Sequence, residues 1–272
     1  SRGSIPVSGK EYLKYGGDTT CLEIRTQSGH VIVVDAGTGI RRLGNKLADE
    51  KCSDIHFIFT HAHWDHLMGF PFFKPLYFKR TQMQMHGCPF HSKFVENILS
   101  RVMAPPNFPV KYTDIKAQMH YEKECPAKLN IGSVSIIPIP ISHPNGGSGY
   151  RIAEDNKSFV FLTDNELGFV HPGGREFKDY VQFSSQADLL IHDGEYTPQE
   201  YKIFKEWGHS VYTDVLDLAA KADVKKLGLF HLNQERCDDD MDEIVGKCRT
   251  QLSANGSGID CFAVSGDMTF SI

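Results

Sequence analysis

Thr60-His61-Ala62-His63-Trp64-Asp65-His66 follows directly on the largely apolar run Ile55-His56-Phe57-Ile58-Phe59. The stretch from His61 to His66 places three imidazoles and a carboxylate within six residues. Neutral imidazole and carboxylate are the donors that hold zinc and similar divalent ions. Such a cluster at the end of an apolar run reads as a buried strand that delivers ligands into a loop. His61 and His63 are two apart, so they point the same way while the chain stays extended. Asp65 and His66 fall where the chain is expected to turn into a helix. One segment can therefore feed two metal positions.

The same pattern recurs downstream. Val134 to Ile141 ends at Ser142-His143, Ser158 to Thr163 ends at Asp164, and Leu227 to Phe230 ends at His231. Three further apolar runs thus terminate in a ligand-type side chain. Strand ends of a layered sheet converge on one edge, and loops held by a rigid scaffold are where sites are built.

The His-Ala-His-Trp-Asp-His run, with His143, Asp164 and His231, resembles the metallo-β-lactamase superfamily. Asp35-Ala36-Gly37-Thr38-Gly39 after Val31 to Val34 matches it as well, and the resemblance extends over nearly the whole chain. It implies an α/β protein with an αββα four-layer sandwich, read as one domain over 1–272, and a dinuclear metal site. By the resemblance, His61, His63 and His143 hold the first ion. Asp65, His66 and His231 hold the second, and Asp164 bridges them. Zinc is the first expectation, with manganese and iron as alternatives, because His/carboxylate sites accept all three.

Composition agrees with a globular protein. The 272 residues suffice for one large core, and 40% hydrophobic with 23% charged content is ordinary. A net charge of −5 argues against a large nucleic-acid partner. No run is long and apolar enough to span a bilayer, so no membrane partner is expected. The opening Ser1-Arg2-Gly3-Ser4 lacks a methionine, and relatives normally carry a strand before it, so a missing first strand or signal is expected. Seven dispersed cysteines (21, 52, 88, 125, 237, 248 and 261) with no C-x-x-C pair favour free thiols in a reducing compartment, hence the cytoplasm. A homodimer is kept open.

Strands are expected over Thr20–Thr26 and His30–Val34, joined by a Ser28-Gly29 turn, and over Asp54–Phe59, Ser133–Ile139, Lys157–Thr163, Leu189–His192 and Ile259–Val264. Helices are expected over Arg41–Glu50, Phe90–Met103, Val211–Lys221 and Asp239–Leu252. Segment 70–128 is rich in aromatics and proline, and reads as an insertion that could cap the active site. Most of its rings, including Phe90 and Phe94, are assigned to packing. Phe72, Phe73, Phe108 and Tyr112 are the candidates to touch substrate. His56 reads as a core or face-lining residue, and His30, His86, His91, His120 and His171 lack a ligand-type setting.

Residue types narrow the chemistry. Superfamily members that handle oxygen or nitric oxide with iron resemble H-x-E-x-D-H, and His63 at the third position favours hydrolysis. Many β-lactamases carry cysteine where this chain has Asp164. Ile191-His192-Asp193-Gly194-Glu195-Tyr196 ends another strand, and Gly208-His209-Ser210 follows. This pair resembles the transfer-RNA 3′-processing nucleases and their cyclic-phosphodiesterase relatives. In that branch the carboxylate and histidine form a proton relay, which assigns Asp193 to orient His209 and His209 to protonate the leaving alkoxide. Asp65, Asp193 and His209 are thus the catalytic candidates, and Asp35 a partner that fixes a ligand imidazole. The expected activity is hydrolysis of small phosphodiesters, cyclic nucleotides among them, by a metal-bridging hydroxide. Transfer RNA is disfavoured because no long basic, Gly/Pro-rich arm is seen. The alternatives are a thioester or lactone hydrolase of the glyoxalase II type and a metal-binding sensor without turnover.

Overall fold

The computed structural model describes residues 1–86, 92–122 and 126–272. Cys88, Phe90, His91 and Cys125 lie outside the described residues, as does the side chain of Phe94. The chain divides into two compact units, one formed by Asp18–Ser133 and the other by Ser1–Gly17 with Val134–Ile272.

The Asp18–Ser133 unit contains β1 (Leu22–Arg25), β2 (Val31–Val34), α1 (Ile40–Asp49), β3 (Asp54–Ile58), β4 (Gln82–His86), α2 (Ser92–Val102), β5 (Gln118–Tyr121) and β6 (Leu129–Ile131). Strands β1 to β5 form a sheet in sequence order. β1 and β2 make the expected antiparallel hairpin, and β2 through β5 run parallel. Alternate residues Val31, Val33, Ile55, Phe57, Met83 and Met85 enter one apolar core. Helix α1 buries Ile40, Gly44, Leu47 and Ala48, a stripe at helical spacing.

This unit corrects one expectation about the aromatics. Phe73 is fully buried and meets Phe57 edge-to-face with centroids 5.4 Å apart, so it is core and not a substrate contact. Phe72 is 55% exposed and rests against Phe108. The Tyr112 hydroxyl hydrogen-bonds that of Tyr121. Part of segment 70–128 is sheet and core of the unit, because β4, β5, Met83, Met85 and Leu99 all belong to it. The helix expected at Asp65 and His66 is a single 3-10 turn, Trp64–His66.

The other unit contains β7 (Val134–Pro140), β8 (Ser148–Glu154), β9 (Lys157–Leu162), α3 (Phe177–Ser184), β10 (Leu189–Asp193), α4 (Pro198–Phe204), α5 (Tyr212–Lys221), β11 (Lys226–Phe230), α6 (Asp238–Ala254) and β12 (Asp260–Ala263). Its strands lie in the order β12-β11-β10-β9-β8-β7. β9 to β12 are parallel, while β7, β8 and β9 are antiparallel. Register places Leu162 beside His192 and Asp193 beside Phe230. Asp164, Asp193 and His231 therefore leave the sheet within one rung of each other, at the carboxyl ends of adjacent parallel strands. Helices α5 and α6 cover this sheet with Val215, Leu218 and Ala219, and with Met241, Ile244, Val245 and Cys248.

Arg2 ties the first residues into this unit. Its fully buried guanidinium donates to the carbonyls of Gly16 (2.9 Å) and Arg236 (2.7 Å) and pairs with Asp238. Cys21, Cys52, Cys237, Cys248 and Cys261 are free thiols. No described helix is long and apolar enough to cross a membrane.

Candidate active site

In the Asp18–Ser133 unit the ligand-rich loop hangs on one buried carboxylate. Asp35 follows β2 with φ of 61°, a left-handed conformation rare outside glycine. That kink turns its carboxylate under the loop. Thr60 donates to it twice, through N and Oγ1, each at 2.7 Å, and His66 Nδ1 donates at 2.8 Å. Burial pushes the Asp35 carboxyl up, and His66 and Thr60 pull it back only in part. With its Nδ1–H committed to Asp35, His66 keeps the Nε2 lone pair for an ion. The rings of His63 and His66 lie with centroids 4.5 and 4.2 Å from that of His61. Asp65 Oδ2 is 3.2 Å from His66 Nε2. All four candidates of this loop are thus held together.

In the other unit the remaining candidate ligands converge likewise. Asp164 and His231 follow their strands with φ of 52° and 53°, so both strand ends kink in the same sense. Strained conformations of this kind concentrate at functional sites. Asp164 Oδ2 is 3.2 Å from His231 Nε2 and 3.8 Å from His143 Nε2, so one oxygen faces both imidazoles. Thr163 Oγ1 donates to the other oxygen at 2.5 Å. His143 Nδ1 donates to the Gly208 carbonyl at 2.9 Å, and His231 Nδ1 to Glu195 Oε2 at 2.9 Å.

His66, His143 and His231 therefore share one arrangement, with Nδ1–H committed to a protein oxygen and Nε2 turned away. This is how metal-ligating imidazoles are oriented and their tautomer fixed. Buried imidazoles so prepared, with carboxylates beside them, suit divalent zinc, manganese or iron.

The two residues expected to form a relay are hydrogen-bonded to each other. His209 Nδ1 donates to Asp193 Oδ2 at 2.8 Å, and the His209 ring stacks on His231 with centroids 4.7 Å apart. Burial alone would lower the His209 pKa, but the carboxylates of Glu195 and Asp193 outweigh it and hold the group up at about 9. Burial pushes the Asp193 carboxyl up, against the pull of His209. Glu195 is held below the ordinary range, since His209 and His231 overcome its burial.

Two acidic residues were missed from the sequence. Glu195 lies between the expected relay pair and the candidate ligands, accepting from His231 and from Asn233 Nδ2. Glu166 is buried and anchors the loop before His209. It accepts from Tyr201 Oη (2.6 Å), from the backbone N–H of Glu206 and Gly208 (both 2.8 Å) and from His171 (2.8 Å). Neither contact leaves a local sequence signal. His192 points away from the relay, its Nδ1 donating to the Asp193 carbonyl, as strand alternation predicts.

Comparison with known proteins gives the family and the fold. A family model described as a beta-lactamase superfamily domain matches residues 30–232. The ribonuclease Z of Thermococcus kodakarensis is 26% identical over 248 residues, covering 75% of this chain and 75% of its own length. Among solved structures, the metallo-beta-lactamase fold protein YhfI of Bacillus subtilis superposes with a TM-score of 0.68 at 17% identity, covering 98% of this chain and 94% of its own. A diphosphatase of the PhnP family gives a TM-score of 0.63 at 20% identity, covering 93% of this chain and 85% of its own. The α/β class and the fold expected from the sequence are borne out. The strand-end histidines and aspartates thus sit in a scaffold with many relatives, and the chain belongs to the metallo-β-lactamase superfamily of metal-dependent hydrolases.

Proposed function

We propose that this chain is a dinuclear phosphodiesterase acting on small phosphodiesters, cyclic nucleotides among them. The observation that carries the reading is the 2.8 Å contact between Asp193 and His209, with His209 stacked on the ligand His231. An alkoxide is a poor leaving group, so diester hydrolysis gains from a positioned acid, whereas a departing thiolate needs none. By the family resemblance, His61, His63 and His143 would hold one ion, Asp65, His66 and His231 the other, and Asp164 would serve both. When bound, two divalent ions supply an activated water at neutral pH and neutralise charge on the phosphate.

The protein's own groups do the rest. Asp193 accepts the Nδ1–H of His209 and fixes the ring, so Nε2 is the atom that presents a proton to the leaving oxygen. Glu195 orients His231 and helps to keep His209 cationic. Glu166 holds the 206–208 loop, which carries His209 into place and offers the Gly208 carbonyl to His143.

A second reading is an RNA 3′-end nuclease, favoured by the curated relatives named ribonuclease Z. The net charge of −5 supports the small substrate over a polyanion. The test sets cyclic nucleotides and a chromogenic diester against a precursor transfer RNA with a 3′ trailer, using zinc- or manganese-loaded protein. Turnover of the small diesters without trailer removal supports the first reading. Efficient trailer removal with negligible cyclic-nucleotide turnover replaces it with the second.

A further inference from the structure

The Asp18–Ser133 unit holds another group of metal-type donors, at the opposite end of β3 from the His61 loop. His30 immediately precedes β2, Asp54 opens β3, and His56 lies two residues further along β3. Ile32 pairs with His56 in register, so extending the ladder by two residues brings His30 opposite Asp54. The two-residue period of a strand then puts all three side chains on one face. A ligand atom from each lies within 4.8 Å of the others, and the His30 and His56 rings meet edge-on with centroids 5.3 Å apart.

A chain of hydrogen bonds fixes the tautomer of His56. Glu122 Oε2 accepts from His86 Nδ1 at 2.8 Å, which leaves His86 Nε2 as an acceptor. His56 Nδ1 donates to that nitrogen at 2.9 Å. The remaining His56 Nε2 must then carry a lone pair. This atom is buried and has no hydrogen-bond partner among the described residues. Burial and the neighbouring His86 lower the His56 pKa to about 4, so the ring is neutral at physiological pH. A metal-binding histidine is normally held by donating its other ring N–H to a fixed acceptor, and here His86 Nε2, oriented by Glu122, fills that place.

We propose that His30, Asp54 and His56 form a separate mononuclear site for a divalent transition metal, zinc by its donor set, with Glu122 and His86 as positioning residues. Two imidazoles and a carboxylate leave a fourth position for water, the pattern of an open zinc site. His56 and His61 are separated by five residues of largely extended chain, about 16 Å at roughly 3.3 Å per residue. The site therefore shares no ligand with the dinuclear set. A metal there would tie the starts of β2 and β3 together and stabilise the unit by its binding free energy.

The test is zinc titration of the full metal-stripped chain against a chromogenic chelator, with the bound metal counted by mass spectrometry. His30 is half-buried beside a turn and Asp54 is exposed, so a His30→Gln/Asp54→Asn double variant should keep its fold, checked by circular dichroism. It is expected to bind one zinc fewer than the parent while hydrolysing diesters at the parent rate. His86→Ala is expected to weaken that same zinc by about 10–100-fold without changing the count at saturation. If the double variant binds as many zinc ions as the parent with the same affinities, the site does not exist. The Asp54→Asn single variant gives the same readout with less perturbation of the turn. Its outcome is independent of whether diesters are the substrate, since it is read from metal binding.

Discussion

Gly208 offers its carbonyl oxygen to His143 Nδ1 at 2.9 Å, so the loop that carries His209, the proposed general acid, also fixes the imidazole of a candidate metal ligand. The backbone there requires glycine twice over. Its φ is 95°, and a Cβ at this position would lie 2.1 Å from His143 Nδ1. Gly208→Ala must therefore displace both His143 and the neighbouring His209. A misplacement of about 1 Å can cost on the order of 10²-fold in rate. The variant is expected to fold, to lose kcat by at least about tenfold, and to bind metal more weakly. Steady-state kinetics with metal counting checks this. Unchanged kcat and metal content would show that the loop plays no part.

The relay makes a sharper prediction. His209→Ala should slow hydrolysis of alkyl diesters by about 10²–10⁴-fold, the usual contribution of a general acid. Diesters with an activated aryl leaving group, which departs without protonation, should lose far less. Asp193→Asn should show the same selectivity in weaker form, because it misorients the acid without removing it. Rates for a paired series of alkyl and aryl diesters read this directly. Equal losses on both would remove His209 from the acid role.

Stability should depend on pH through His192. This ring is fully buried, accepts from Asn165 Nδ2 at 3.1 Å, and burial lowers its pKa from 6.5 to about 4. Above pH 6.5 the folded and unfolded chains are both neutral here, and the group contributes nothing to the pH dependence. As pH falls from 6.5 to 4 the unfolded chain takes up a proton that the folded chain refuses. Stability then declines by up to about 3 kcal/mol and levels off below pH 4. Urea unfolding at a series of pH values measures it. His192→Gln should flatten the curve in that window, and an unchanged slope would exclude His192 as its source.

The sequence made some of this legible and not the rest, for reasons visible in particular residues. The candidate ligands were readable because they cluster just after or at the ends of apolar runs, and Asp193 and His209 because their local motifs are distinctive. Glu166 and Glu195 were not, because their roles depend on partners distant in the chain, Gly208 lying 42 residues from Glu166 and His231 36 residues from Glu195. Strand β4 alternates Gln and Met, a pattern too polar and short to stand out. Helix α4 was missed despite a signal, since Thr197 and Glu200 form a reciprocal capping box. The left-handed turns at Asp35, Asp164 and His231 fall on residue types that tolerate them better than most but do not demand them, so they leave no sequence signal. Their cause is tertiary, as each turns a functional side chain out of its strand.

Metal-dependent diester hydrolysis can be read in a single assay. The purified chain is stripped of metal, reloaded with zinc or manganese, and assayed on bis(p-nitrophenyl) phosphate beside a thioester and a lactone, with His63→Ala as the control. The account predicts diester hydrolysis that disappears on stripping, returns on reloading and is absent from His63→Ala, with no comparable thioester or lactone turnover. Thioester or lactone hydrolysis without diester cleavage, or diester cleavage retained by His63→Ala, would contradict it.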